Sequence, residues 1–167
     1  MPLKQNLAEW AKTIEVIPVT TAQHSEIVRQ IRNAGYINLA HEARILSRRE
    51  NEHFWEEQGA GIRAWIYKRA EPSGTVIGVG SLRERDGKTW AFVAVPPHLH
   101  GYGYGTHILR DITERSEIDV WAVTRDRNGP AMGIHKSMGG WEEVSREPAK
   151  DGAGEIVTQV YRKVPHG

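Results

Sequence analysis

The spacing of hydrophobic positions changes along the chain, and each change marks an element. Ile14-Glu15-Val16-Ile17-Pro18-Val19 alternates as a strand does, and Pro18, which cannot donate to a ladder, puts it at a sheet edge or a strand end. Thr20-Thr21 opens a helix that runs to about Ala34, with Ile27 and Ile31 one turn apart, and Gly35 closes it. Residues 36–49 hold no clear period. Ser47 and Glu50 then stand at the spacing of a capping box, which predicts a second helix to Gln58. Ile62 to Arg69, Thr75 to Arg83 and Thr89 to Val95 read as strands, the last two joined by a hairpin at Asp86-Gly87. A helix at about 104–115 follows, with Ile108, Leu109 and Ile112 on one face. Ile118 to Val123 reads as a buried strand, 129–138 as a helix, and Trp141 to Arg146 and Ile156 to Val164 as closing strands around a loop at 148–154. Residues 1–12 read as a tail or an extra helical turn, with Trp10 as its docking point. The order β-αα-βββ-α-β-α-ββ predicts one α/β domain over 13–167, a central twisted mixed sheet flanked by helices.

The join between the second hairpin strand and the next helix carries the strongest chemical signal. Residues 93–105 read Val-Ala-Val-Pro-Pro-His-Leu-His-Gly-Tyr-Gly-Tyr-Gly. Gly101, Gly103 and Gly105 have no Cβ, so the backbone can turn tightly and a ligand can approach its N–H groups. Those groups open a helix, where orphan donors and the helix dipole favour a phosphate. No Gly-Lys-Ser/Thr follows, so this is not a Walker A loop. The spacing and late position also fail the dinucleotide fingerprint.

Val95, Pro97, His100, Gly103 and Gly105 fall where the acyl-CoA loop of the GNAT superfamily of N-acetyltransferases carries Val, Pro, Gln/Arg, Gly and Gly/Ala. The segment resembles that loop, with histidine at 100 where Arg or Gln is usual. Downstream, Asn128, Ala131 and Gly139 match the family's Asn-x-x-Ala-x-x-x-Tyr-x-x-x-Gly-Phe helix. There His135 replaces the frequent tyrosine, and Gly140 adds one residue before Trp141. The resemblance implies a GNAT-like domain that takes acetyl-CoA, or another acyl-CoA, as co-substrate. Val93, Val95, His100, Gly101, Tyr102, Gly103, Gly105, Thr106 and Asn128 would hold that co-substrate. A backbone N–H near Val93 would meet the thioester oxygen, and Val95 the pantetheine amides.

Composition narrows the partners. The chain has 167 residues, enough for one well-cored domain. Its 22 Lys+Arg against 21 Asp+Glu leave a net charge of +1, which argues against a dedicated nucleic-acid binder. Arg44, Arg48 and Arg49 read as a solvated helix face. No cysteine is present, which removes disulfides, thiolate metal sites and an acyl-cysteine step and fits a reducing cytoplasm. Met1 to Lys12 has no apolar core for a signal peptide, and no run of 18 apolar residues exists to span a membrane. A cytoplasmic protein is expected, with a homodimer left open.

Amine attack on a thioester needs a deprotonated amine, a donor for the carbonyl oxygen and a proton for the leaving thiolate. His135 is the expected acid–base residue, because imidazole titrates near neutral pH, with Ser137 as a weaker donor. Glu84 is a candidate general base, although a solvated hairpin carboxylate looks the same in sequence. Tyr36, His41 and Glu42 lie in the segment that commonly lines the family's acceptor pocket. His98-x-His100 lacks the further ligands of a metal site, so no metal is expected. The expected reaction is direct acetyl transfer to a primary amine, first of a small molecule and second of a peptide. A CoA-binding module without catalysis is the rival.

Overall fold

A computed structural model describes residues 10, 12–35, 39, 44–71 and 74–163. Its strands are β1 (Ile14–Pro18), β2 (Ile62–Arg69), β3 (Val76–Arg85), β4 (Lys88–Ala94), β5 (Val120–Arg125), β6 (Trp141–Pro148) and β7 (Glu155–Tyr161). The helices are α1 (Ala22–Ala34), α2 (Arg48–Gln58), α3 (Tyr104–Glu114) and α4 (Gly129–Met138). All seven strands form one sheet in the order β1-β2-β3-β4-β5-β7-β6, antiparallel except at β4–β5. The expected element order and mixed sheet are therefore present. Among the described residues no helix is long and apolar enough to cross a membrane.

Local sequence accounts for most element ends. Ser47 Oγ accepts from the Glu50 N–H while Glu50 Oε1 accepts from the Ser47 N–H, the reciprocal capping box that starts α2. β5 begins at Val120, two residues later than the hydrophobic run suggests. Ser116 Oγ bonds both the carbonyl and the N–H of Ile118 in a tight turn, and Ile118 is left 56% exposed.

The sheet's two faces are assigned by strand alternation. Gly78, Gly80 and Leu82 of β3 face α3, together with Trp65 and Tyr67 of β2 and Ala91 and Val93 of β4. Ile108, Leu109 and Ile112 of α3 are at most 1% exposed here, each contributing about 1.5–3 kcal/mol by burial. Trp10, the expected docking residue, is 4% exposed between the rings of Tyr67 and His107. Arg83, of opposite parity on β3, lies over the Phe54 ring and bonds Gln58, so α2 covers the other face.

Two glycines permit the close approach of α3. A Cβ on Gly78 would stand 2.7 Å from Ile108 Cδ1 and 2.9 Å from the Ala94 carbonyl oxygen; one on Gly80 would stand 2.8 Å from Ile108 Cγ2. Gly78→Ala should therefore destabilise by about 1–3 kcal/mol through overpacking. A lowered urea midpoint would register it, and an unchanged midpoint would show that α3 can move away at no cost.

Candidate active site

The sheet opens where its parallel pair parts. β4 and β5 pair only at Thr89 with Val120 and Trp90 with Trp121, yet β4 continues to Ala94 and β5 to Arg125. Past Trp90 the edge of β4 that faces β5 has no strand partner, which leaves backbone donors and acceptors available to a ligand. A cavity of about 820 Å³ occupies this gap. Arg29 and Phe54 line it from the α1–α2 side, Leu109 and His135 from the α3–α4 side, and Val93 and Thr124 at the waist. The passage thus reaches both faces of the sheet.

Beyond β4 the chain makes a 3-10 turn at Pro97–Leu99 and then the glycine loop. Gly101 and Gly103 have φ of 88° and 85°, the left-handed region that suits glycine, and Gly103 is the N-cap of α3. Among the described residues no acceptor meets the N–H groups of Gly101 to Thr106. Those orphan donors lie at the positive end of α3, an arrangement that suits phosphate oxygens. Gly105 differs from the other two: a Cβ there would run into the side chain of Ile134, so it allows α3 and α4 to pack. Tyr102 is 48% exposed and stacks on Tyr104, whose hydroxyl accepts from Arg69 at 2.7 Å.

His100 turns toward its own loop. Its Nε2–H donates to the Val95 carbonyl at 2.8 Å, bracing the turn and occupying that acceptor.

His135, on α4, is buried at 8% exposure. Its Nδ1–H donates to the Ala131 carbonyl at 3.0 Å, while Nε2 is buried with no protein partner. Burial pushes its pKa below the usual value, the Ala131 bond opposing in part, so the neutral ring is favoured. The edge contact with Trp141, centroids 4.6 Å apart and planes at 81°, fixes the ring from the other side. Gly139 and Gly140 both have positive φ, and a Cβ on Gly140 would stand 2.6 Å from the Tyr161 ring. The additional glycine therefore returns Trp141 toward His135.

Other expected site residues are scattered. Asn128 lines the cavity and caps α4, its Oδ1 accepting from the Ala131 N–H at 3.2 Å. Glu84 shares the face of Gly80 and Leu82, is solvent-exposed at the far end of β3, and does not border the cavity. Alternation puts Glu84 on the α3 face and its neighbour Arg83 on the α1–α2 face, and Glu84 stands next to the end of β3, past the Gly78 and Gly80 stretch on which α3 packs. Ser137 is exposed and likewise outside the cavity lining. Tyr36, His41 and Glu42 lie outside the described residues.

The acetyltransferase (GNAT) family model matches residues 26–140, which include the sheet gap, the glycine loop and His135. The chain belongs to this family. It is an acetyl-CoA-dependent acetyltransferase. No curated protein matches it in sequence. Among solved structures, spermidine N-acetyltransferase from Vibrio cholerae with CoA and spermine superposes at TM-score 0.72 and 12% identity, over 89% of this chain and 95% of that one. YncA from Salmonella typhimurium, provisionally called an acetyltransferase and holding acetyl-CoA, gives TM-score 0.71 and 18% identity, over 93% and 95%. A protein provisionally called a phosphinothricin N-acetyltransferase gives TM-score 0.75 and 13% identity, over 92% and 100%. At these identities the likeness establishes the fold.

The acetyltransferase offers acetyl-CoA a fitting site. Unmet N–H groups at the start of α3 suit the pyrophosphate, and the unpaired edge of β4 suits an amide-bearing arm. Among the described residues no group of three or more His, Cys, Asp or Glu side chains could hold a metal ion. Two residues of the acetyltransferase escaped sequence reasoning. Arg83 borders the cavity from a strand whose face could not be read without the sheet. Arg125, nearly buried, donates to the Leu39 carbonyl at 2.6 Å and pairs with Asp151 at 2.7 Å, holding that carboxyl down to about 2. It thereby ties the segment after α1 to the turn between β6 and β7, which no local signal announces.

Proposed function

We propose that this acetyltransferase acts on the primary amine of a small molecule, by direct attack with both substrates bound at once. The observation that carries the reading is the cavity passing between β4 and β5, open to both faces of the sheet and bordered by His135. Such a passage suits a donor entering from the α3–α4 side and an acceptor from the α1–α2 side. Acetyl-CoA supplies a thioester: a C–N bond forms to the amine, the C–S bond breaks, and a proton moves from nitrogen to sulfur. The absence of cysteine supports transfer without an acyl-cysteine step. The neighbours' names support a small acceptor, since spermidine and phosphinothricin are both small molecules.

The chain's own residues take distinct parts. The N–H groups of Gly101 to Thr106 hold the pyrophosphate. A backbone N–H near Val93, on the open edge of β4, polarises the thioester carbonyl. A preorganised donor of this kind is worth about 2.7–4 kcal/mol. His135 moves the proton. With Nδ1–H committed to Ala131, the neutral ring must accept a proton at Nε2 before it can donate one. Of the two acid–base parts open to His135, this tautomer suits the relay, in which the ring takes up a proton and then passes it to the thiolate. Glu84, away from the cavity, is not needed as a base.

Calorimetric titration with acetyl-CoA, with NAD and ATP as controls, tests the donor. Selective one-to-one binding is expected, followed by thiol release on adding small primary amines. Absence of acetyl-CoA binding would overturn the reading.

A further inference from the structure

The charges bordering the cavity on the α1–α2 side are unequally satisfied. Three acids reach it, and two have an arginine partner: Glu50 meets Arg44 at 2.6 Å and Asp86 meets Arg85 at 3.5 Å, while Glu57 contacts the His53 ring at 3.2 Å. Among the basic residues, Arg29 is taken by Glu26 at 2.5 Å. Arg83 has a different environment. It bonds the neutral Gln58 Oε1 at 3.0 Å and lies 5.4 Å from the centroid of Phe54, and among the described residues no carboxylate pairs with it. The Phe54 ring and the Gln58 amide hold the guanidinium in place, so little ordering cost is left for a ligand.

Its position in the sheet links this cation to the reaction. Arg83 is in register with Trp90, the last residue of β4 to pair with β5. It therefore stands beside the mouth of the gap, with Phe92 continuing the same face of β4 inward. Val93 is three residues past Trp90, so at about 3.3 Å per strand residue the unpaired edge there lies on the order of 10 Å along the strand from the Arg83–Trp90 pair, within reach of the guanidinium through an extended acceptor of several bonds.

We infer that the acceptor is an amine that also carries an acidic group, a carboxylate or a like anion, held by Arg83 while its amino end enters the gap. The inference rests on the acyl-transfer reading above and specifies its acceptor. A polyamine is the opposite charge type and meets an uncompensated arginine here.

The test uses matched acceptors differing only at the far end: 4-aminobutanoate and 6-aminohexanoate, the corresponding n-alkylamines, and the corresponding diamines. Thiol release from acetyl-CoA is followed for each. The amino carboxylates are expected to exceed both other series in kcat/KM by at least about tenfold, the size of one charge-assisted hydrogen bond. Arg83→Gln should reduce the ratio of carboxylate to alkylamine by a similar factor, mainly through KM. Arg83→Lys, which keeps the charge but not the planar fork, should restore part of it. Diamines equal to or better than the carboxylates, or a ratio unmoved in Arg83→Gln, would overturn the inference and leave acetyl transfer standing. Turnover of none of these amines despite acetyl-CoA binding would overturn the inference together with the small-molecule acceptor reading.

Discussion

Gly103→Glu is expected to weaken acetyl-CoA binding by more than about 100-fold in a calorimetric titration. Three effects act in one direction. Gly103 has φ of 85°, and placing a side chain in that region costs about 1–2 kcal/mol. It is also the N-cap of α3, so its carboxylate would compete for the same N–H groups that suit a phosphate. Finally, two like charges about 4 Å apart repel by roughly 4 kcal/mol at an effective dielectric near 20. Each 1.4 kcal/mol is about tenfold in affinity, so repulsion alone takes the effect past 100-fold. Nothing lies within 4 Å of a Cβ at this position, so the fold should tolerate the change. Gly103→Ala separates the contributions, carrying the backbone cost without the charge. Unaltered affinity in the glutamate variant would refute the loop's assignment.

His135→Phe is expected to lower kcat by about 10²–10⁴-fold, the usual worth of a positioned acid–base group, while the Kd for acetyl-CoA moves little. Phenylalanine keeps an aromatic ring against Trp141 and removes a buried nitrogen that lacks a protein partner, but it also loses the Nδ1–H bond to the Ala131 carbonyl, so stability should fall by no more than about 1 kcal/mol. The pH profile distinguishes chemistry from packing. Burial places the His135 pKa below its ordinary value of about 6.5, and the working form is neutral. Wild-type kcat is therefore lost as pH falls through that lowered pKa, and is flat above it so far as His135 is concerned. The variant should lack this acidic limb. Wild-type turnover with the limb intact in His135→Phe would make the residue structural.

Much of the site was readable because its chemistry is local. A glycine at the N-cap and a capping box at Ser47 each act within a few residues, so spacing alone announces them. The hairpin at Asp86-Gly87 and the apolar face of α3 are equally local, since one turn and one period define each. Glu84 shows where this ends. A carboxylate near a hairpin is chemically apt, but which side of the sheet it faces depends on a partner strand and a helix remote in sequence. Alternation puts Arg83 on the α1–α2 face beside the cavity and Glu84 on the α3 face, exposed at the strand's end, reversing their apparent importance. His100 is similar: its residue type suggests an anion ligand, yet a carbonyl five residues back takes its N–H.

By itself the sequence determined the elements, their order and the phosphate-suited loop, since periodicity, turns and caps are short-range properties of the chain, while the family rested on the likeness of two motifs. Tertiary structure decided the rest. The two-residue pairing of β4 with β5, the tautomer of His135 and the unmatched charge of Arg83 each depend on groups brought together from distant positions. Hydrogen bonding and burial act on neighbours in space, and only the folded sheet determines which neighbours those are.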